Sequence, residues 1–435
     1  MKQAQKQSKN NIFIIQNTLV ITKTKLVVNN LIGVDKTLIF NVFAPFLQEI
    51  CKNCFQNFSQ LKYVYAPQLV AVGDYSFYEC LSLRRVHANL KIIGHSGFQR
   101  CYNLQQISLL QVETFGKYSF DECFSIVEIY NKNVVSVENN FNQMYNLRLI
   151  SFERLEKQES CFTCCNLKLA HLPLLFQAIP NYIMQVTEES HKNIQCFRKL
   201  IKKLPQISHC YRSRPTGSKI DVLQKVDEVQ MLLTLDIPYN LRGVVLLNVQ
   251  NIKNHQFMKQ RQLLFAWCRN VKTVGQFAFN QCVSLRRFYS QSLEQIDCQA
   301  FYECFCLNQI STKKLTSVGE GCFDHCHSFS TLMLPHITNL PMNCFSFCEN
   351  LILLLAPQLE SVALNAFSYC RHKVSVCAPK LMPGTQYQLV NGFKLQEILT
   401  DSRFRERKAI FQLVQTQKKI VNFVKQEQET IQIQE

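Results

Sequence analysis

The stretches AFNQCVSLRRF (278–288), AFYECFCLNQI (300–310), CFDHCHSFSTL (322–332), CFSFCENLILL (344–354) and AFSYCRHKVSV (366–376) are five spellings of one unit. Their leading Phe residues, Phe279, Phe301, Phe323, Phe345 and Phe367, stand 22 apart, and Phe257 and Leu235 continue the step backwards. An earlier series, Phe55, Phe77, Phe98, Phe120, Phe141 and Phe162, advances by 22, 21, 22, 21 and 21. A fixed period of this size marks a solenoid. One coil cannot bury its apolar side alone, so each Phe, Leu and Val must stack on its counterparts above and below.

The unit reads F-x-x-C-x-x-L-x-x-V-(x)n-L-x-x-V-G-x-x-(A/S)-F. In the copy led by Phe77 it is Phe77, Cys80, Leu83, Val86, Leu90, Ile93 and Gly94. The segments Leu83 to Val86 and Leu285 to Phe288 predict short strands, paired in parallel with their neighbours about 4.8 Å apart. Ser76, Gly97, Ser119, Ala278, Ala300 and Ala366 supply a small residue for a tight turn before each Phe. Gly73, Gly94, Gly275 and Gly319 fall where a positive φ is expected.

These positions resemble the BspA-like class of leucine-rich repeats, over roughly residues 37–184 and 232–382 and in twelve copies. Phe58, Met144 and Gln260 depart from the pattern by replacing the Cys, and the copy at Phe162 is one residue short before Leu167. The resemblance implies an α/β solenoid: a right-handed superhelix with short parallel strands on its concave face. It implies adhesion or partner binding as the work.

Along the chain, residues 1–36 predict a polar tail and an edge strand, 37–184 a first array and 232–382 a second. Between the arrays, FRKLIKKL (197–204) and KIDVLQKVDEVQMLL (219–233) have helical apolar spacing around the turn-rich YRSRPTGS (211–218). Residues 185–231 thus read as a basic, partly helical joint, or alternatively as degenerate repeats. Residues 383–435 carry an amphipathic stripe, Ile410, Leu413, Ile420 and Val424, which predicts a capping helix or an oligomerising one. About thirteen coils would stack into a ribbon on the order of 60 Å long. The arrays also match at higher order. LSLRRV (81–86), NLQQI (103–107) and FDECFSI (120–126) repeat as VSLRRF (283–288), CLNQI (306–310) and FDHCHSF (323–329), at an offset of 202 or 203, as a duplicated block would.

Nine of the 21 cysteines (Cys80, Cys101, Cys123, Cys165, Cys282, Cys304, Cys326, Cys348 and Cys370) stand three after the Phe, and Cys54, Cys161, Cys322 and Cys344 stand just before it. Repeat position accounts for them as small buried hydrophobes. Two sets have enough ligands for zinc on paper: Cys161, Cys164, Cys165 and His171, and Cys322, Cys326, His325 and His327. Repeat geometry already places most of those residues, so the expectation is reduced thiols and no metal or other cofactor. No nucleotide-binding, nucleophile-elbow or zinc-protease motif occurs, so no enzyme is expected.

The net charge of +17 invites an anionic partner, but it is spread over the N-terminal tail, the inter-array segment and Arg403–Lys408. A solvated basic surface is the plainer reading, and nucleic acid is not the expected partner. The longest apolar run, LILLLAP (351–357), is too short to cross a bilayer, and MKQAQKQSKNNIFIIQNTLV does not read as a leader. A cytoplasmic location follows, with a secreted or cell-surface adhesin as the alternative.

Strand alternation sends the residues eight and ten after each Phe outward. Those columns hold Tyr63, Arg85, Tyr65, His87 and Tyr130 in the first array, and Phe265, Arg287, Trp267 and Tyr289 in the second. Trp, Tyr and Arg dominate binding hot spots. These nine residues are the expected protein-binding site of an interaction scaffold.

Overall fold

The computed structural model describes residues 11–175, 184–185 and 241–390, except Gln16, Asn166, Lys168, Arg242, Leu247 and Asn248. The anticipated helices within 185–231 and 400–430 lie outside the described residues, as do Leu235 and any oligomer contact of the C-terminal segment.

Most described coils contribute a short strand centred on the inward Val or its equivalent, while the Phe98 coil adds only an isolated bridge from Gln106 to Arg85. In the first array Thr18–Ile21, Asn41–Phe43, Tyr63–Tyr65 and Arg85–His87 pair in parallel. Ile12–Ile15 closes that end as an antiparallel hairpin with Thr18–Ile21. Glu128–Asn131, Leu149–Phe152, Leu169–His171 and Met184–Gln185 continue the array. In the second array the strands run from Gly243–Val245 through Phe265–Trp267, Arg287–Tyr289 and Gln309–Ile310, then from Thr331–Met333 to Tyr387–Leu389. A second line of parallel strands, such as Ala71–Val72, Ile92–Ile93 and Thr114–Phe115, forms at the residues before the repeat's Gly. Sequence reading missed it because two residues are too few to show a period.

Inside, the Phe rings form one stacked column per array. Neighbouring centroids are 4.9 to 5.9 Å apart in the first array and 5.1 to 5.8 Å apart in the second. Burying each such ring stabilises the stack by about 1.5–3 kcal/mol.

The return arm is not helical. Among the described residues the only helical turn is the 3-10 segment Val28–Leu31, so the α/β expectation gives way to a β-solenoid. The physical reason is a run of turns through each Phe. In the Phe77 coil, Ser76 N–H bonds Gly73 O, Tyr78 N–H bonds Tyr75 O and Cys80 N–H bonds Phe77 O. The residues two before and two after the Phe are left-handed, as at Tyr75 (φ 52°), Glu79 (57°), Phe277 (55°) and Gln281 (59°). A left-handed residue every fourth position cannot propagate an α-helix.

The glycines serve a different purpose from the one expected. Gly73, Gly94, Gly275 and Gly319 do not have positive φ; only Gly33 and Gly321 do among the described glycines. A Cβ on Gly94 would lie 2.6 Å from Asp74 N, and one on Gly319 would lie 2.4 Å from Cys298 N. Backbone of the preceding coil occupies the space, so these sites require Gly for close approach.

The cysteines three after the Phe also do more than fill space. All nine Sγ atoms donate to the carbonyl of the leading Phe one coil back, at 3.0 to 3.3 Å. Most of these thiols add a second, inter-coil donor to a carbonyl that already accepts the turn N–H of its own coil, as Phe77 O does from Cys80 N–H.

The arrays do not form a single 60 Å ribbon. They lie side by side, antiparallel, along a seam made by the residues four and five after each Phe. Partner numbers fall as the first number rises. Gln60 and Ser82 meet Asn350, Asn103 meets Ser328, Tyr102 meets Cys306, and Asn146 meets Ser284.

Candidate functional site

Two surfaces are built by the repeat: the outward side of the strands and the seam between the arrays.

On the strands the alternation is visible in burial. Val64 and Val86 are buried while Tyr63 and Tyr65 are half-buried and Arg85 and His87 exposed. Parallel pairing without slippage puts Tyr63 beside Arg85 and Tyr65 beside His87. Rings in the outer column therefore stack: Phe43 on Tyr65 at 5.4 Å and Tyr65 on His87 at 5.0 Å. Tyr130 is half-buried and its hydroxyl donates to Glu128 Oε2 at 3.0 Å. In the second array Trp267 packs on Tyr289 at 4.6 Å, with Arg287 beside them, all three half-buried.

Phe265 is a correction. It is 4% exposed, because the facing position one coil earlier is Gly243 and its ring lies over that backbone, where an added Cβ would be 2.3 Å from the ring edge. Leu353 and Leu355, in the same two columns, are buried as well. The expected face is thus split into a Tyr65–His87 patch and a Trp267–Tyr289 patch.

The seam has an apolar centre and polar edges. Leu81, Tyr102, Phe124, Val283 and Cys306 form a buried cluster flanked by Tyr145 and Phe305. Its contacts come in pairs related by the 202- or 203-residue offset. Tyr102 stacks on its own counterpart Phe305 at 5.4 Å, and the Tyr102–His327 contact at 5.8 Å has its mate in Phe124–Phe305 at 5.8 Å. Ser82–Asn350 and Asn146–Ser284 are another such pair, at offsets of 202 and 204.

On the turn side one ion pair crosses the seam within a small charged network. Arg371 reaches Glu79 of the other array at 2.6 Å and also Glu349, and Arg100 pairs with Glu79 at 2.6 Å and Glu122 at 3.5 Å. Burial raises the Glu349 carboxyl despite Arg371 beside it. His327 is buried against this network, 3.8 Å from Glu349, and burial together with His325, Arg100 and Arg371 depresses it to about 3. The duplicated block could have announced this seam through its unusual Asn, Ser and aromatic residues at plus four and five, but repeat consensus masked the signal.

The zinc candidates do not assemble. Among the described residues no three His, Cys, Asp or Glu side chains converge as metal ligands, and all the described cysteines are free thiols. Among the described residues the Cys322 and Cys344 thiols lie 3.6 Å apart, both buried. No described helix is long and apolar enough to cross a membrane.

Stacked coils with in-register parallel strands and a repeated Phe, Cys and Leu frame define a leucine-rich-repeat solenoid. The chain belongs to the BspA type leucine rich repeat region family (six copies), matched over residues 39–148, 72–190 and 250–374. No curated protein matches it. Among solved structures it is similar to a leucine-rich repeat protein from Bacteroides ovatus (15% identity, 88% of this chain and 91% of that one, TM-score 0.27). It is likewise similar to a leucine rich cell surface protein from Faecalibacterium prausnitzii (18%, 87% and 95%, 0.29) and to a leucine rich repeat protein from T. pallidum (21%, 38% and 85%, 0.27). Likeness at this level says nothing about a partner.

Proposed function

We propose that the chain is a non-enzymatic scaffold that binds a protein partner on the outward side of its strands. The observation that carries this reading is the in-register packing of aromatic side chains there, Tyr65 stacked on His87 and Trp267 tilted against Tyr289, with Arg85 and Arg287 in the same columns. Stacked rings are pre-ordered, so they lose little conformational freedom on binding, and Trp, Tyr and Arg are the types that anchor interfaces. Solenoids of this family present such surfaces for recognition, which favours binding over catalysis.

The test is capture of partners by full-length protein and by the Trp267→Ala, Tyr289→Ala variant. Loss of capture with unchanged circular dichroism supports the reading; unchanged capture overturns it. The cytoplasmic location expected from the sequence has no support in the family, and the surface adhesin reading stands beside it. Protease shaving of intact cells separates the two.

A further inference from the structure

The small-residue position just before each Phe holds Cys322 and Cys344 in consecutive coils, between Ala300 and Ala366. Both thiols are buried and lie 3.6 Å apart, one donating to the other. The same position is used differently in the first array. There Cys54 Sγ donates to Leu26 O and Ser76 Oγ to Cys51 O, each a carbonyl of the preceding coil. The cysteines three after the Phe are committed to carbonyls as well, as Cys304, Cys326 and Cys348 show. Cys322 and Cys344 instead face each other.

The backbone fixes the pair. Phe323 N–H donates to Cys344 O at 3.1 Å, and the Phe323 and Phe345 rings stack next to it at 5.5 Å. Stacked coils stand about 4.8 Å apart, inside the Cα separation of about 4.4–6.8 Å that a disulfide spans. Parallel neighbours point their side chains the same way, so closing the gap to a bond of about 2 Å requires rotation about the two Cα–Cβ bonds. In the same column Ala300 and Ala366 carry only a Cβ, so neither flanking side chain blocks that turn.

We propose that Cys322 and Cys344 are an oxidisable pair, which closes into an inter-coil disulfide when the chain folds or opens in the presence of a small-molecule disulfide such as glutathione disulfide. One thiolate attacks a sulfur of the glutathione disulfide. That S–S bond breaks, a mixed disulfide forms, and one glutathione leaves as its thiolate and takes up a proton. The other thiolate attacks the protein sulfur of the mixed disulfide and releases the second glutathione. The two cysteines lose two electrons and two protons, and one glutathione disulfide becomes two glutathiones. Burial, with Cys344 beside it, pushes the Cys322 thiol up, so thiolate is scarce in the closed array and exchange runs while a coil is open. Once formed, the bond is as buried as the thiols were. It ties the coil that gives the seam His327 and Ser328 to the coil that gives it Asn350. The pair acts on the fold and stands apart from the strand-face reading.

Full-length protein is incubated with glutathione disulfide in sub-denaturing urea, alkylated, and cut with trypsin and an Asp-specific protease without reductant. Peptide 315–323 holds Cys322 as its one cysteine, and 324–371 holds Cys344. The two are joined by a disulfide in the parent, in Cys326→Ala and in Cys348→Ala, and are not joined in Cys344→Ala. Ala is the native residue at this position in the coils on either side, so Cys344→Ala keeps the fold. At a fixed urea concentration within the transition, the unfolded fraction of the oxidised parent is lower than that of the reduced parent by about ten-fold or more. Cys344→Ala shows no such difference. Exposed Cys298 takes up glutathione in every sample and reports that the oxidant acted. Glutathione on Cys298 with the two peptides still separate overturns the proposal, as does a link that survives in Cys344→Ala.

Discussion

Tyr102 stacks on Phe305, its own counterpart one duplicated block later, with ring centroids 5.4 Å apart and planes 20° from parallel. A contact between equivalent positions is what two-fold packing of identical bodies produces. The two arrays thus meet as the halves of a dimer would, within one chain.

That packing changes how damage should spread. Phe323→Ala removes a ring stacked between Phe301 and Phe345 and should cost about 3–5 kcal/mol. Along a lone array the loss would stay in the second array. Through His327 and Ser328 it should also reach the facing coils, lowering hydrogen-exchange protection in residues 77–125 as well as 257–380. Full protection of 77–125 in the variant would show that the seam does not couple the arrays.

The left-handed turn positions should yield stabilising glycines. Gln281 has φ 59°, which costs a non-Gly residue roughly 1–2 kcal/mol, against up to about 1 kcal/mol of extra chain entropy for Gly. Gln281→Gly is therefore expected to raise stability by about 0.5–1 kcal/mol in urea unfolding. Gly94→Ala should do the reverse, because its Cβ meets Asp74 N at 2.6 Å, and should cost about 1–3 kcal/mol.

Thiol labelling should separate two classes of cysteine. Cys164 and Cys298 are exposed, whereas Cys80, Cys282 and Cys304 are buried, with burial pushing their thiols up. Only the thiolate alkylates. Iodoacetamide on native protein, read by peptide mass spectrometry, should mark Cys164 and Cys298 within minutes and the buried set only after denaturation. Rapid native labelling of Cys304 would contradict the burial.

Acid should loosen the seam through His327. Its folded value of about 3 lies below the ordinary 6.5, so between those values the unfolded chain takes up a proton that the native one refuses. Stability is therefore present above pH 6.5 and is lost as pH falls toward about 3, by at most about 1.4 kcal/mol per pH unit. Glu349, raised by burial, acts in the opposite sense just above the ordinary carboxylate value of 4.5, where the native chain keeps a proton that the unfolded chain releases. Melting temperatures from pH 7 to 4 should drop less steeply in His327→Gln than in the parent. Equal slopes would remove His327 from the account.

The period of Phe279, Phe301 and Phe323 made the solenoid, its parallel strands and its buried Phe column legible, because stacking forces equivalent residues onto the same contacts coil after coil. It left the return arm, the glycines and part of the face open. Phe265 occupies an outward position by alternation yet is buried, since only the neighbouring coil reveals that Gly243 leaves room for its ring. Gly94 was readable as a required glycine but not as a close approach, because the clashing Asp74 backbone lies 20 residues away in sequence.

Sequence alone determined what repeats along the axis of each array, where every contact is between neighbours at a fixed step. Tertiary structure alone decided what happens across it. The duplicated block was visible as an offset, but an offset carries no direction. That the halves turn back antiparallel, set Tyr102 on Phe305 and bring Arg371 to Glu79 depends on shape complementarity between surfaces 200 or more residues apart, and no local period records that.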